Sequence, residues 1–337
     1  RNGGTITLLA DGIHLLSGSK IQARSNNGSG GVINIGANNA KVASAGTFAS
    51  QTPTFLANTV ALDGNSSIDA SVIGAAGHGG VINILSAVKT VVAGVINAIG
   101  GSVSGNGGAI LTGSRGGLEV LAGTSVNAGA SNGKIGTWTL LNPTGLSVDA
   151  ATANAIANAL TSTNVTLTTN QTGCANFGGC QNSVFGDVAL LADIHKSGLS
   201  ATAFTVNAGG VFTSQANITS SDNGPLAFTV NAGSALISTN STVAASSVNI
   251  AVAQGIDIFG NVIVSGQNPL INLAGATINI LGSIGTRRQS LSAGDDNGAA
   301  NININATNNI TIGSAGVVTA DGADGGIISM KASTINL

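Results

Sequence analysis

The residues able to do chemistry are few and scattered. Gly77-His-Gly79 and Gly294-Asp-Asp296 are the most suggestive, because paired carboxylates can activate water at a glycosidic bond. Asp295, however, follows His78 by 217 residues. In a chain of short stacked coils that is about nine coils, roughly 40 Å, too far to share a substrate. Glu119 is the single Glu, with no acidic partner near it in sequence, and His14 and His195 are isolated; each reads as a surface position. Asp321 to Gly326 and Asp295 to Gly298 faintly suggest calcium loops, but repeat-type calcium sites need the motif on successive turns, and each occurs once. Cys174 and Cys180 share a short Gly-rich loop that begins at Thr172. Two cysteines six apart, with no histidine nearer than His195, suggest one local disulfide in an oxidising compartment rather than half a zinc site. No catalytic residue, cofactor or metal is therefore expected.

Composition says what kind of elements must carry these residues. Of 337 residues only 7% are charged, against roughly 25% in an ordinary globular domain. The 43% hydrophobic content and mean hydropathy of +0.38 exclude a disordered chain, which lacks apolar surface to bury. No stretch offers about 18 uninterrupted apolar residues; the richest, Val81 to Ile99, is broken by Asn83, Ser86, Lys89 and Asn97. Fifty Gly, at about 0.8–1 kcal/mol each in a helix, disfavour a helical bundle. Strands joined by Gly and Asn turns suit the chain better. Net charge is −2 and no basic stripe occurs; Arg287-Arg288, the one adjacent basic pair, reads as an exposed loop. Nucleic acid is therefore not an expected partner. Tyr is absent, and one Trp and eight Phe leave few rings for stacking.

The chain repeats itself. Phe204-Thr-Val-Asn-Ala-Gly209 recurs as Phe228-Thr-Val-Asn-Ala-Gly233, 24 residues later. Gly-Gly before an aliphatic run appears at Gly3-Gly4, Gly30-Gly31, Gly79-Gly80, Gly107-Gly108 and Gly325-Gly326, with Asn132-Gly133 as a looser copy. Within repeats the pattern is period two: Val32, Ile33 and Ile35 against Asn34, Val81, Ile82 and Ile84 against Asn83, Ile302 and Ile304 against Asn301, Asn303 and Asn305. Such alternation between Gly and Asn turns reads as half-buried strands. One coil cannot bury its apolar face; stacked coils about 4.8 Å apart can. The reading is an all-β parallel β-solenoid of coils about 20–28 residues long, with Asn tolerating left-handed corners and laddering from coil to coil.

The segment 140–198 breaks this rhythm, giving three regions: coils over 1–139, an interrupted segment over 140–198, and coils over 199–337. Asp149 to Leu160 is Ala-rich and reads as a short helix with Asp149 near its N-cap. A strand is expected over Val165 to Thr169, then the Cys loop, then a further helix-like turn over Asp187 to Lys196. Both chain ends read as cut from something longer, since no signal peptide precedes the first strand. Sequons at Asn27, Asn65, Asn164, Asn170, Asn217, Asn240 and Asn309 leave glycosylation open, because such triplets arise by chance in this composition.

Gly77-His-Gly79 and Gly294-Asp-Asp296 resemble tripeptides of polygalacturonases, but in the reverse order. A broader resemblance runs from Gly3 to about Ser220. Gly3-Gly-Thr-Ile-Thr-Leu-Leu-Ala-Asp-Gly12, Asn65-Ser-Ser-Ile-Asp-Ala-Ser71, Gly79-Gly-Val-Ile-Asn-Ile84 and Gly107-Gly-Ala-Ile-Leu-Thr-Gly-Ser114 are similar to coils of the filamentous-haemagglutinin-like adhesins of bacterial two-partner secretion. The most specific segment is Gly136-Thr-Trp-Thr-Leu-Leu-Asn-Pro143, which resembles that family's Gly-Thr-(Trp/Leu)-Leu-Leu-Asp-Pro. Asn142 replaces the usual Asp, Thr139 is an extra residue, and Cys174 and Cys180 are a further departure. The resemblance implies a right-handed parallel β-helix, in which the helix and Cys loop of 140–198 read as a small helix- and loop-containing insertion. It also implies export through an outer-membrane transporter to the cell surface or biofilm matrix of a Gram-negative bacterium. The function it implies is the shaft of an adhesin contacting extracellular polysaccharide, host or neighbouring cells, or copies of itself. The stalk of a two-partner-secreted toxin or contact-dependent inhibition protein is the alternative. The ligand is left open.

Overall fold

The computed structural model describes residues 1–38, 53–170, 186–221, 224–266, 268–286, 300–321 and 325–337. It is an all-β parallel β-helix, in which strand after strand pairs in parallel with its counterparts one coil away. Among the described residues no helix is long and apolar enough to cross a membrane. The chain divides into two compact units, Arg1–Leu146 with Asn154–Gly186, and Ser147–Ala153 with Asp187–Leu337.

The first unit has three faces. Thr5–Leu8, Val32–Ile35, Val81–Ser86, Ala109–Ser114, Thr137–Leu141 and Asn164–Thr168 stack as the first. Gly12–Leu15, Thr59–Leu62, Lys89–Val92 and Gly117–Val120 form the second, and Lys20–Gln22, Ser67–Asp69, Val95–Asn97 and Ser125–Asn127 the third. Period-two alternation sends one set of side chains inward. Ile33, Ile82, Ile110, Trp138 and Val165 fall in register and are fully buried. Burial of each aliphatic member contributes about 1.5–3 kcal/mol. The Trp138 indole Nε1 donates to Thr112 Oγ1 on the adjacent coil at 3.0 Å, inside the core. At one corner Ser86, Thr90 and Ser114 exchange hydroxyl hydrogen bonds of 2.7 and 3.1 Å, so buried polar groups are paired.

The Gly-Gly pairs have a steric cause, except at Gly4 and Gly325, which face open space. A Cβ on Gly79 would lie 2.0 Å from the Ala98 carbonyl oxygen, and one on Gly80 would lie 2.1 Å from that of Gly31. The stacked corners approach too closely for any side chain. The expected copy at Asn132-Gly133 is misplaced by three residues. Gly136 takes the equivalent position, its Cβ site 2.1 Å from the Gly108 carbonyl oxygen, whereas Gly133 stacks on Gly105. The residues between lie outside any strand, which sequence spacing alone does not reveal.

Asn34 and Asn83 point outward from the first face yet are buried, with Asn83 Nδ2 donating to Asn34 Oδ1 at 2.8 Å. Their neighbours on that outer surface, Leu85, Ala109, Leu111 and Leu141, form a second hydrophobic cluster with Ala37, against which Leu56 and Val81 pack. Ala37 pairs with Leu56 in an antiparallel bridge. This sheet is therefore buried on both sides over several coils, with an apolar cluster and one paired set of carboxamides on its outer side.

Helix α1, Ala150–Ala159, is present as expected, and the Asp149 carboxylate accepts from the Thr152 backbone N–H at 2.9 Å. That is an N-cap, satisfying a donor the helix cannot. Asp149→Ala should lower stability by about 1 kcal/mol while Asp149→Asn retains most of it, measurable as a difference in denaturant midpoint. The strand after the helix, Asn164–Thr168, pairs in register with Thr137–Leu141. The first-face rhythm thus continues through this part of the interrupted segment. Cys174 and Cys180 lie outside the described residues, as does the loop between them.

The second unit also has three faces. The first stacks Thr202–Asn207, Leu226–Ala232, Ser247–Val252, the start of Leu270–Ile280, the start of Ala300–Ile312, and Gly326–Lys331. The second stacks Val188–Leu190, Val211–Ser214, Ser234–Ile237, Gly255–Ile258, the ends of those two long strands, and Thr334–Asn336. The third runs from Ile194–Lys196 through Ile218–Ser220, Thr242–Ala245, Asn261–Val264 and Ser283–Thr286 to Val317–Thr319. The 24-residue repeat is a true coil: Phe204 and Phe228 are in register, their rings stacked 5.6 Å apart inside the core.

The helix-like turn expected over Asp187 to Lys196 is instead two strands, Val188–Leu190 and Ile194–Lys196. Val188, Leu190 and Ile194 face inward and are buried, a period-two pattern that the short run disguised. Lys196 is also fully buried, and its Nζ donates to the Gly198 carbonyl at 3.0 Å. Burial lowers its pKa below the ordinary 10.5. The unfolded chain then holds that proton more tightly than the folded one, so the cost of burying the cation is full below the lowered pKa. It disappears as pH rises through the window up to 10.5. Relative to Lys196→Met, the unaltered chain should therefore gain stability across that alkaline window; a pH-independent difference between the two melting curves would contradict this.

Candidate functional site

Of the residues singled out for chemistry, those described tie coils together. His78 Nδ1 accepts from the Asn106 backbone N–H at 2.9 Å, while Asp295 and Asp296 lie outside the described residues, as do Arg287 and Arg288. Glu119 pairs with Lys89 one coil away at 2.7 Å, both half-exposed. His14 Nε2 lies 2.7 Å from Asp63 Oδ1, and His195 Nδ1 lies 2.8 Å from Thr219 Oγ1. The Asp321 backbone exchanges hydrogen bonds with Thr286 Oγ1. Among the described residues no three His, Cys, Asp or Glu side chains converge as metal ligands would.

What the coils do bring together is a surface of mostly neutral groups on the second unit, Asn, Thr and Ser with two Ala and one Lys. Two outward columns run along its first face. One reads Thr205, Thr229, Asn249, Asn272, Asn303, Ser329; the other reads Asn207, Asn231, Ala251, Ala274, Asn305, Lys331. Carboxamides bridge successive coils: Asn231 Nδ2 donates to Asn207 Oδ1 at 2.9 Å, and Asn303 Nδ2 to Asn272 Oδ1 at 2.8 Å. On the second face Asn279 Nδ2 donates to Asp257 Oδ1 at 2.7 Å.

Between these faces lies a trough of about 550 Å³. Its floor is Ala251-Val252-Ala253, Ala274-Gly275-Ala276 and Asn305-Ala306-Thr307, with Lys331 at one end. The trough exists because the strands Leu270–Ile280 and Ala300–Ile312 bend from the first face onto the second without ending, with a register shift between Gly275 and Thr277. A bend of this kind needs small residues. A Cβ on Gly275 would lie 3.0 Å from Val252 Cγ2 and 3.2 Å from the Gln254 carbonyl. Asn272 and Asn303 stand on the first-face side of the floor, Thr277 and Asn309 on the other.

Among the described residues the lining carries one charge, Lys331, and no carboxylate or imidazole. Phe204, Phe212 and Phe228 are buried in the core, and no ring is among the described residues that line the trough. The arrangement can hold an extended uncharged chain by hydrogen bonds and methyl contacts; it offers no acid–base pair for cleaving one. Sequence reading missed it, although Ala at positions 251 and 274, where adjacent coils carry Asn, was the available signal. No family model matches this chain, and no curated protein matches its sequence.

Proposed function

We infer that this chain is a length of the shaft of a secreted bacterial surface or biofilm-matrix adhesin, exported by two-partner secretion and not an enzyme. The observation that carries the reading is the nearly uncharged first face of the second unit, with Thr and Asn columns bridged from coil to coil. Such a surface suits extended display in water and many weak contacts. The resemblance of Gly136 to Pro143 and of the Gly-Gly coils to filamentous-haemagglutinin-like exoproteins supports the secretion route and the cell-surface location. Coil-by-coil stacking suits a chain that emerges progressively, because each repeat contacts only its neighbours.

The test is deletion of the gene in the producing bacterium, with cell–cell aggregation and retained matrix measured against the parent strain. Loss of both, restored by the intact gene, is the expected result. Unchanged aggregation and matrix would refute the adhesin reading. Release of reducing sugar ends from matrix polysaccharide by the purified chain would refute the non-enzymatic part.

A further inference from the structure

We propose that the trough between the first and second faces of the second unit is a binding site for a neutral, extended polysaccharide lying along the coil axis. The proposal rests on the adhesin reading and names the partner of that surface.

Three features favour this occupant. The first is shape and period. Ala251, Ala274, Asn305 and Lys331 stand on four successive coils, a length of about 14 Å at the strand spacing. An extended β-linked glycan advances by a distance close to that spacing with each sugar, so each sugar falls against one coil. The second is surface chemistry. A pyranose has apolar C–H faces and a rim of hydroxyls that both donate and accept. The trough has a floor of Ala251, Ala274 and Ala306 methyl groups, flanked by the Asn272, Asn303 and Asn305 carboxamides, which also donate and accept. The third is charge: among the described residues a polyanion would find one lining cation, Lys331, whereas a neutral chain requires none.

Because no ring among the described residues lines the trough, each sugar is held weakly. Binding should therefore be negligible for a monosaccharide and rise steeply with chain length, as contacts add within one molecule.

The experiment is affinity electrophoresis and calorimetry of the purified chain with β-1,4-gluco-oligosaccharides of increasing length, soluble hydroxyethyl cellulose, dextran and alginate. Retardation by hydroxyethyl cellulose, with affinity for oligosaccharides growing with length, is expected. Ala274→Leu, which fills the floor, should abolish retardation. Asn305→Ala, at an exposed position, should weaken it about fivefold, the loss of one hydrogen bond. Ala244→Leu, an outward site on the third face, should leave it unchanged. Should Ala274→Leu fail to fold, Asn305→Ala decides alone. The proposal fails if hydroxyethyl cellulose causes no retardation, if alginate is bound more tightly, or if Asn305→Ala binds as the unaltered chain does. Failure here with aggregation still lost on gene deletion would sink this site and leave the adhesin reading standing; glycan binding with unchanged aggregation would do the reverse.

Discussion

Ile82→Asp should unfold the first unit. Ile82 is completely buried on the first face, paired in register with Ile33 on one side and Ile110 on the other. An aspartate there must either carry an unpaired charge into an apolar interior or take up a proton to avoid doing so. Both routes are unfavourable, and the lost aliphatic contacts add to them, so the expected cost exceeds about 4 kcal/mol. The damage spreads because each coil is the template for the next, and stability in a stacked array is a sum of neighbour interfaces. Trp138, the only Trp, is buried in the same unit. Its emission should therefore shift to the red as far-UV circular dichroism falls. Lys89→Ala, which breaks a half-exposed ion pair with Glu119, is the contrast and should cost less than about 1 kcal/mol. An unchanged melting temperature for Ile82→Asp would place the side chain outside and shift the register of the whole unit.

Trp138→Ala is the second large effect, expected at about 3–5 kcal/mol. Trp138 fills the inward column between Ile110 and Val165 without exposure, and the backbone ladders above and below hold those neighbours apart. Collapse into the cavity is therefore limited, which places the cost toward the upper end. Trp138→Phe keeps much of the volume but removes the donor to Thr112 Oγ1, and should cost about 1 kcal/mol for the hydrogen bond alone. Denaturant titration followed by circular dichroism measures both. A loss below about 1 kcal/mol for Trp138→Ala would mean that the coil closes around the vacancy.

Much of this architecture is legible in the residues. Alternation at Ile33 and Ile35, at Ile82 and Ile84, and at Ile302 and Ile304 identifies the inward set, because a strand has only two faces and water excludes one set of side chains. The 24-residue recurrence of Phe204 at Phe228 gives a coil length, and Asp149 before an Ala-rich run marks a helix start. Other features were hidden. Asn34 and Asn83 read as solvent-facing, but Ala37 and Leu56 take part in the apolar cluster on that outer surface. Lys196 ends a three-residue strand too short to reveal its period, and a lysine is not what an inward position predicts. Gly133 and Gly136 are equally good local candidates, and only stacking on Gly108 chooses between them.

The neutral outer columns, and with them the candidate site, divide the same way. The sequence by itself determined that this chain is built of short strands with aliphatic interiors, and that its outward groups are Asn, Thr, Ser and Ala with almost no charge. Tertiary structure decided which of those outward groups become neighbours. Ala251 meets Ala274 after 23 residues, Ala274 meets Asn305 after 31, and Asn305 meets Lys331 after 26. No fixed period links them, because loops of different length leave the coil at its corners at little entropic cost. Register is set instead by backbone hydrogen bonds between coils and by the inward aliphatic columns. Those same contacts bend two long strands around a floor of small residues, and so make a trough from positions that are unremarkable in the linear chain.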